Sequence, residues 1–157
     1  MKTLVTITPE EAARAERKAT AHFKRAVRES FSNLSMNQQD EKRRFQMAAA
    51  YRAEYAAARW FGVTLKLDKP DVGRYSVRYG SRPNHGLVIY DYDKDHPYML
   101  VVPGGRTLEF EIVGWLTAAE ARELRESGFG FAIHEHAWCI PQSRMRPLSE
   151  LGRESVA

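Results

Sequence analysis

The sequence predicts an α/β (α+β) domain in which a pair of long N-terminal helices packs on a mixed β-sheet of about five strands. Up to Gly62, apolar residues recur every three or four positions, which is the period of an amphipathic helix. Beyond Gly62, short runs alternate apolar and polar residues, which is the period of a β-strand. The length of 157 residues fits one ordinary domain with its own core.

The first helix is predicted to begin at Thr8 and to run to about Ser30. Thr8 is a capping residue, Pro9 suits the first helical position, and acids follow in the first turn. Small apolar residues form one stripe, and the rest of the surface is basic: Arg14, Arg17, Lys18, Lys24, Arg25 and Arg28. Residues 1–35 are therefore interpreted as a basic helix with a solvated face, with a nucleic-acid or partner-binding arm as the alternative.

The second helix opens the main domain, which is predicted to span residues 36–151. Lys42 and Arg43 lie on its early turns, and Gly62 ends it. Glu54 falls within the apolar stripe that should face the core. Because an isolated buried charge is costly, we expect Glu54 either to be tied to a basic group or to be held inward for a metal or substrate.

Five strands are predicted after the second helix: Val63–Leu67, Tyr75–Tyr79, Leu87–Tyr90, Tyr98–Val102 and Leu108–Val113. Tyr75–Tyr79 is expected to pair with Leu87–Tyr90, because the loop between them is rich in turn residues. The run Tyr98–Val102 is almost wholly apolar and is typical of a central strand buried on both faces.

Shorter elements are predicted toward the C-terminus. Thr117 and Glu120 have the spacing of a capping box, which predicts a short helix to about Glu126. Two short extended segments are predicted around residues 129–133 and 138–140, followed by a helical turn near residue 148. Residues 152–157 are predicted to be a frayed tail.

Composition sets limits on the class of protein. The hydrophobic share of 43% and charged share of 28% are those of a soluble globular protein, and no apolar run approaches membrane-spanning length. Cys139 is the single cysteine, which excludes an internal disulfide and fits a reducing cytoplasm. The net charge of +4 favours a polyanionic partner, although 20 acids accompany the 24 Lys and Arg.

A candidate reactive site combines the helix acid with residues that follow Gly62. Asp71 stands in a turn at the entry of the strand Tyr75–Tyr79, whose alternation places Ser76 and Arg78 on one face. The sequence therefore predicts that Glu54, Asp71, Ser76 and Arg78 line one cleft.

Four segments resemble a group of small phage and prophage proteins: Asp71–Arg78, Asp91–Asp95, Val113–Trp115 and Pro141–Pro147. The likeness covers about residues 45–151. Those proteins look like distant members of the restriction-endonuclease-like PD-(D/E)XK superfamily. The resemblance implies a nuclease-like α/β domain and, for a phage-encoded protein, the host cytoplasm.

The resemblance also implies a metal-dependent nuclease (phosphodiesterase) site. Glu54 and Asp71 would hold Mg²⁺, or Mn²⁺ in its place, and the family's acid-x-lysine element would fall on Ser76 and Arg78. This element departs from the pattern, because serine replaces the acid and arginine replaces the lysine. Arginine keeps its proton, so Arg78 could stabilise phosphate charge but could not act as a base.

The preferred function is therefore nucleic-acid processing or binding, with a Mg²⁺-dependent hydrolytic site. Nucleic acid is expected to contact five basic residues: Arg74, Arg78, Arg82, Lys42 and Arg43. The alternative is a non-catalytic protein that kept the scaffold, lost the chemistry and binds DNA or a host protein. Ser76 and Arg78 favour this alternative, and no membrane partner is expected.

Two further clusters suggest metals. The loop Asp91–Asp95 holds three aspartates two positions apart, but it lacks the glycine and the terminal bidentate acid of a calcium loop, so a solvated turn is favoured. His134 and His136 share one face of an extended segment near Cys139, but no fourth zinc ligand is evident.

Overall fold

The computed structural model describes residues 2–30, 38–65, 72 and 75–151. The helices of this part of the chain are α1 (Pro9–Ser30), α2 (Gln38–Phe61) and α3 (Ala118–Glu126). Its strands are β1 (Thr3–Thr6), β2 (Ser76–Tyr79), β3 (Leu87–Tyr90), β4 (Pro97–Pro103), β5 (Glu109–Thr117), β6 (Phe131–His134) and β7 (Ala137–Ile140). The predicted α+β class is confirmed.

The strands form two sheets. The larger sheet has the order β1-β5-β4-β2, and the smaller sheet has the order β3-β7-β6. The larger sheet is mixed, as predicted, because β2 runs parallel to β4 while β1, β5 and β4 pair antiparallel. The prediction of one sheet with about five strands is wrong, since the described residues contribute seven strands to two sheets.

The predicted pairing of Tyr75–Tyr79 with Leu87–Tyr90 is also wrong. β2 pairs with β4, and β3 pairs with β7 in a register that sets Leu87 opposite Ile140. Leu87, Ile89 and Ile140 are all buried in one hydrophobic cluster, so the pairing of β3 with β7 buries apolar side chains of both strands.

The sequence interpretation differs from the structure at two other strands. Val63–Leu65 is not a strand, and the remainder of the predicted strand Val63–Leu67 lies outside the described residues. β1 was not foreseen, although Leu4 (exposed) and Val5 (buried) show the alternation of an edge strand.

Local capping predictions are confirmed. The Glu11 amide donates to the Thr8 hydroxyl at 3.0 Å, and the Glu11 carboxylate accepts from the Thr8 amide at 2.9 Å. Thr117 and Glu120 form the same reciprocal box at the start of α3. Gly62 ends α2 with a φ of 74°, a left-handed conformation that favours glycine.

The larger sheet has a hydrophobic core on each face. On one face Met99 and Val101 of β4 pack with residues of α1 and α2. On the other face Tyr98, Leu100 and Val102 pack with residues of β3, β7 and α3. The prediction that Tyr98–Val102 is a central strand buried on both faces is therefore confirmed.

The predicted division at residue 35 stays a prediction, because residues 31–37 lie outside the described residues, as does the tail 152–157. Within the described part of the chain, Ala12 and Ala15 of α1 belong to the same buried cluster as Met99. α1 therefore contributes to the core of the sheet.

The burial of β4 generates a stability prediction. We expect Met99→Ala to lower the free energy of unfolding by about 2–5 kcal/mol, because it removes a fully buried side chain. Leu4→Ala on β1 is the control, with an expected loss of about 0.5 kcal/mol, because Leu4 is 51% exposed. Urea denaturation measures both, and equal losses would contradict the central position of β4.

Candidate functional site

Arg78 lies on the face of β2 that is turned away from the helix pair. Its neighbours Val77 and Tyr79 pack against the core shared with α1 and α2. The Arg78 guanidinium instead lies over the rings of Tyr98, at 4.7 Å, and Tyr90, at 5.3 Å. These contacts hold the cation between aromatic rings beside the smaller sheet.

Asp93 fixes the position of Arg78. Nη2 of Arg78 donates to Oδ1 of Asp93 at 2.7 Å, and the Asp93 side chain is only 6% exposed. The other Asp93 oxygen accepts from the Tyr90 amide at 2.7 Å. Because a buried carboxylate requires such partners, the Arg78–Asp93 pair stabilises the loop after β3.

Ser76 shares this face with Arg78, as the alternation predicts. The Ser76 hydroxyl lies 2.7 Å from Nε2 of His96, within hydrogen-bonding distance. The His96 ring packs against Tyr98, with 4.5 Å between ring centroids. The contact between Ser76 and His96 therefore holds β2 beside the start of β4.

The three aspartates of the loop Asp91–Asp95 bind separate partners. Besides the Asp93 pair with Arg78, Asp91 accepts from Arg125 at 2.7 Å, and this hydrogen bond lowers the pKa of the Asp91 carboxyl. Asp95 accepts from the Ala119 amide in the first turn of α3 at 3.1 Å. Through these side-chain contacts the loop bridges β2 and α3.

The alternative metal clusters gain no support from the part of the chain that the structure describes. No group of three His, Cys, Asp or Glu residues there is placed to hold a metal ion. Nδ1 of His134 accepts from the His136 amide at 3.1 Å, and Cys139 is buried. Burial also raises the pKa of the Cys139 thiol, so the thiolate form needs a higher pH than usual.

Glu54 is buried on α2, at 8% exposure, as the sequence predicts. α2 covers the face of β2 that carries Val77, whereas Ser76 and Arg78 occupy the opposite face. The structure therefore brings Ser76 and Arg78 together but does not bring Glu54 to them.

The described residues supply one carboxylate, Glu54, of the predicted Mg²⁺ pair. Asp71, the other predicted ligand and catalytic residue, and Arg74, predicted to contact nucleic acid, both lie outside the described residues. Their joint assignment with Glu54 stays a prediction.

The other predicted nucleic-acid contacts are exposed. Lys42 and Arg43 lie on the first turns of α2, and Arg82 lies in the loop between β2 and β3. These three cations are thus accessible to a polyanion.

The cations of the helix pair divide into two groups that the sequence did not separate. Arg14 pairs with Glu10, Arg59 with Glu11, and Arg44 and Arg52 with Glu16. Within the described residues, four exposed cations of the same helices form no ion pair: Arg17, Lys24, Lys42 and Arg43. The sequence signal for the paired group is the presence of Glu11 and Glu16 in an otherwise basic helix.

A cleft of about 340 Å³ opens between β2 and the smaller sheet, and sequence reasoning did not find it. Arg78 and His85 line it together with Val88, Phe131 and Ile133. Phe131 and Ile133 are exposed although they are large and apolar. Their i, i+2 spacing in β6 was the available signal, because it places two apolar side chains on one face of a strand.

No known family model matches the chain, and neither a curated protein nor a solved structure matches it. The likeness to the PD-(D/E)XK superfamily therefore stays a prediction from the sequence. Among the described helices, none has the length and apolar character needed to span a membrane.

The Arg78–Asp93 pair generates a second stability prediction. We expect Arg78→Ala to lower the free energy of unfolding by about 2–4 kcal/mol, because it leaves the Asp93 carboxylate buried without its cation. Arg14→Ala is the control, with an expected loss of about 0–1 kcal/mol, since the Arg14–Glu10 pair is exposed.

Chemical denaturation of both single variants and of the double variant Arg78→Ala, Asp93→Asn gives the comparison. The double variant should recover part of the loss, because it removes the stranded charge. An Arg78→Ala loss no larger than that of Arg14→Ala would show that Arg78 does not stabilise the loop.

Proposed function

We propose that the protein is a non-catalytic nucleic-acid-binding protein that holds the phosphate backbone with the basic end of its helix pair. The basic end comprises Lys24, Lys42 and Arg43, and Arg17 adds a fourth cation nearer the middle of α1. The observation that carries the proposal is that these cations are exposed and form no ion pair within the described residues. Exposed Lys and Arg bind phosphates by displacing condensed counterions.

Three of the four cations lie toward one end of the helix pair, and Arg17 lies nearer the middle of α1. Arg44 of α2 pairs with Glu16 and lies 3.3 Å from the Thr20 hydroxyl of α1. This contact sets Arg44, near the start of α2, beside the middle of α1, so Lys42 and Lys24 both lie beyond it, on the side away from the Arg59–Glu11 pair. The opposite end is neutralised, because Arg59 pairs with Glu11.

The charge of the whole chain follows this division. Residues 1–61 carry 12 Lys and Arg against 7 Asp and Glu, whereas residues 62–157 carry 12 against 13. The net charge of +5 in the first part therefore exceeds the +4 of the whole chain. Such a one-sided distribution steers a polyanion toward the helix pair.

Phe45 extends the basic end with an apolar ring. It follows Arg44 on α2 and is 64% exposed. An exposed ring beside cations stacks on unpaired bases, and such stacking tolerates any base sequence. The expected ligand is accordingly a nucleic acid with an unpaired region, bound with little sequence preference.

The proposal that the protein is not an enzyme rests on the contacts of Ser76 and Arg78, two of the residues predicted to be catalytic. Arg78 donates to Asp93 and the Ser76 hydroxyl lies within hydrogen-bonding distance of His96, so both residues contact side chains outside the predicted catalytic set. The restriction-endonuclease-like identity of the fold and a phage origin are supported by the sequence resemblance alone. On this proposal the protein uses that scaffold for binding.

Charge reversal at the basic end tests the proposal. We expect Lys42→Glu with Arg43→Glu to weaken binding of a fluorescent oligonucleotide at least about 10-fold, because two phosphate contacts become repulsive. The slope of log K against log salt should fall by about 2 if each residue contacts one phosphate. Fluorescence anisotropy at several salt concentrations, with single- and double-stranded oligonucleotides, measures both quantities.

The matched control is Lys94→Glu with Arg106→Glu, which makes the same charge change at two exposed residues that belong to neither helix of the pair. This control should change the affinity about 2-fold or less at moderate salt, where distant charges are screened. Equal losses in the two double variants would show diffuse attraction. A wild-type protein that binds no nucleic acid would refute the proposal and favour a host-protein target.

A metal-dependent nuclease is the second candidate function. The observation that favours it is that Glu54 is a charged residue buried on α2, at 8% exposure. Mg²⁺, or Mn²⁺ as a substitute, would be held by Glu54 with Asp71, but the described residues show only the first of these carboxylates.

Cleavage assays distinguish the two candidates. If the protein is a nuclease, we expect Asp71→Asn and Glu54→Gln each to abolish Mg²⁺-dependent cutting of DNA or RNA while oligonucleotide binding persists. If it is a binding protein, the wild type should cut neither substrate with Mg²⁺ or Mn²⁺. Wild-type cleavage that survives both substitutions would place the reactive site elsewhere.

A further inference from the structure

The cleft between β2 and the smaller sheet has the build of a ligand-binding site. Strand register places Val88 opposite Cys139 and Cys139 opposite Phe131, so these three residues form one row across the smaller sheet. The row and the edge strand β2 enclose about 340 Å³, which is within the range of small-molecule sites.

Two glycines allow the close approach of chain segments that shapes this cleft. A Cβ atom on Gly86 would lie 2.2 Å from the Ile140 carbonyl oxygen and 2.8 Å from the Cys139 sulfur. A Cβ atom on Gly80 would lie 2.7 Å from the Cβ of His85. Larger residues at these positions would push the loop away from the sheet, and with it His85.

The lining of the cleft is apolar with two basic groups. Val88, Leu100, Phe131 and Ile133 provide the apolar surface. Arg78 and His85 are its basic groups, and no Asp or Glu is among the described lining residues. Phe131 is 61% exposed and Ile133 is 50% exposed, so the apolar surface of the cleft is accessible from solvent.

Arg78 retains hydrogen-bonding capacity in this position. A guanidinium has five N–H donors, and the contact with Asp93 uses Nη2. Asp93 does not line the cleft, and the rings of Tyr90 and Tyr98 hold the guanidinium in place. A preorganised guanidinium of this kind suits a carboxylate, which it can bind through two parallel hydrogen bonds.

We infer that the cleft binds a small amphipathic carboxylate, with its apolar chain against Val88, Phe131 and Ile133 and its headgroup beside Arg78 and His85. Burial of its methylene groups against these apolar side chains supplies most of the affinity. The charged headgroup supplies the preference for an anion. This site is independent of nucleic-acid binding, because Arg78 faces away from the helix pair.

Calorimetric titration with decanoate and with decanol tests the inference. The wild type should bind one decanoate saturably and should bind decanol at least about 5-fold more weakly, which corresponds to about 1 kcal/mol for the headgroup. Val88→Trp fills the cleft and should weaken decanoate binding at least 10-fold. Leu4→Trp is the matched control, since Leu4 is an exposed residue of β1, and its affinity should equal that of the wild type.

A double variant separates the headgroup from the chain. Arg78→Gln with Asp93→Asn removes the cation without leaving a buried carboxylate, so decanoate should lose its advantage over decanol. An unchanged preference would overturn the assignment of Arg78 to the headgroup.

Cys139 gives a second readout that does not depend on any substitution. It is the only cysteine of the chain and it lines the cleft, so dithiodipyridine, a neutral disulfide that reacts only with thiols, reports on this site alone. Decanoate should slow the labelling of wild-type Cys139 at alkaline pH, and decanol at the same concentration should slow it less.

Absence of saturable binding, or equal affinities of Val88→Trp and Leu4→Trp, would overturn the inference. If Val88→Trp fails to fold, the labelling experiment decides, and labelling that decanoate does not slow would overturn it. Oligonucleotide affinity is measured on the same samples, so that failure of carboxylate binding can be told apart from failure of nucleic-acid binding.

Discussion

The burial of β4 on both faces is the constraint on which the rest of the fold depends. A strand of this kind requires apolar cover above and below, because its side chains alternate between the two faces. The helix pair provides one cover through the cluster around Met99, and the smaller sheet with α3 provides the other through the cluster around Leu100. The division of the strands into two sheets follows from this double requirement.

The burial of β4 on both faces also decides the surroundings of Ser76, Arg78 and Glu54, which the sequence suggested as catalytic residues. β2 lies beside β4, so its alternate side chains also point to opposite covers. Ser76 and Arg78 face the smaller sheet, where buried polar groups require hydrogen-bonding partners. Asp93, in the loop after β3, is the partner of Arg78. His96, just before β4, is the partner of Ser76. Glu54 belongs to the other cover.

The molecule therefore presents two surfaces of different character on opposite sides of one sheet. The basic end of the helix pair is polar, exposed and suited to long-range attraction, which salt screens. The cleft beside Arg78 is small and mostly apolar, so its affinity for a ligand depends on short-range apolar contacts rather than on long-range electrostatic attraction. A ligand recognised by one surface is not expected to compete for the other, because the two share no residue.

The sequence by itself determined the features that depend on neighbours a few residues away. These features are the capping of α1 and α3, the end of α2 at Gly62, the burial of Glu54 and the common face of Ser76 and Arg78. Only the tertiary structure decided that β2 pairs with β4, that β3 pairs with β7, and which arginines of the helix pair are neutralised. The physical reason is that alternation specifies two faces of a strand but not its partner. Partner choice depends on burial summed over distant segments, and ion pairing depends on how those segments are then brought together.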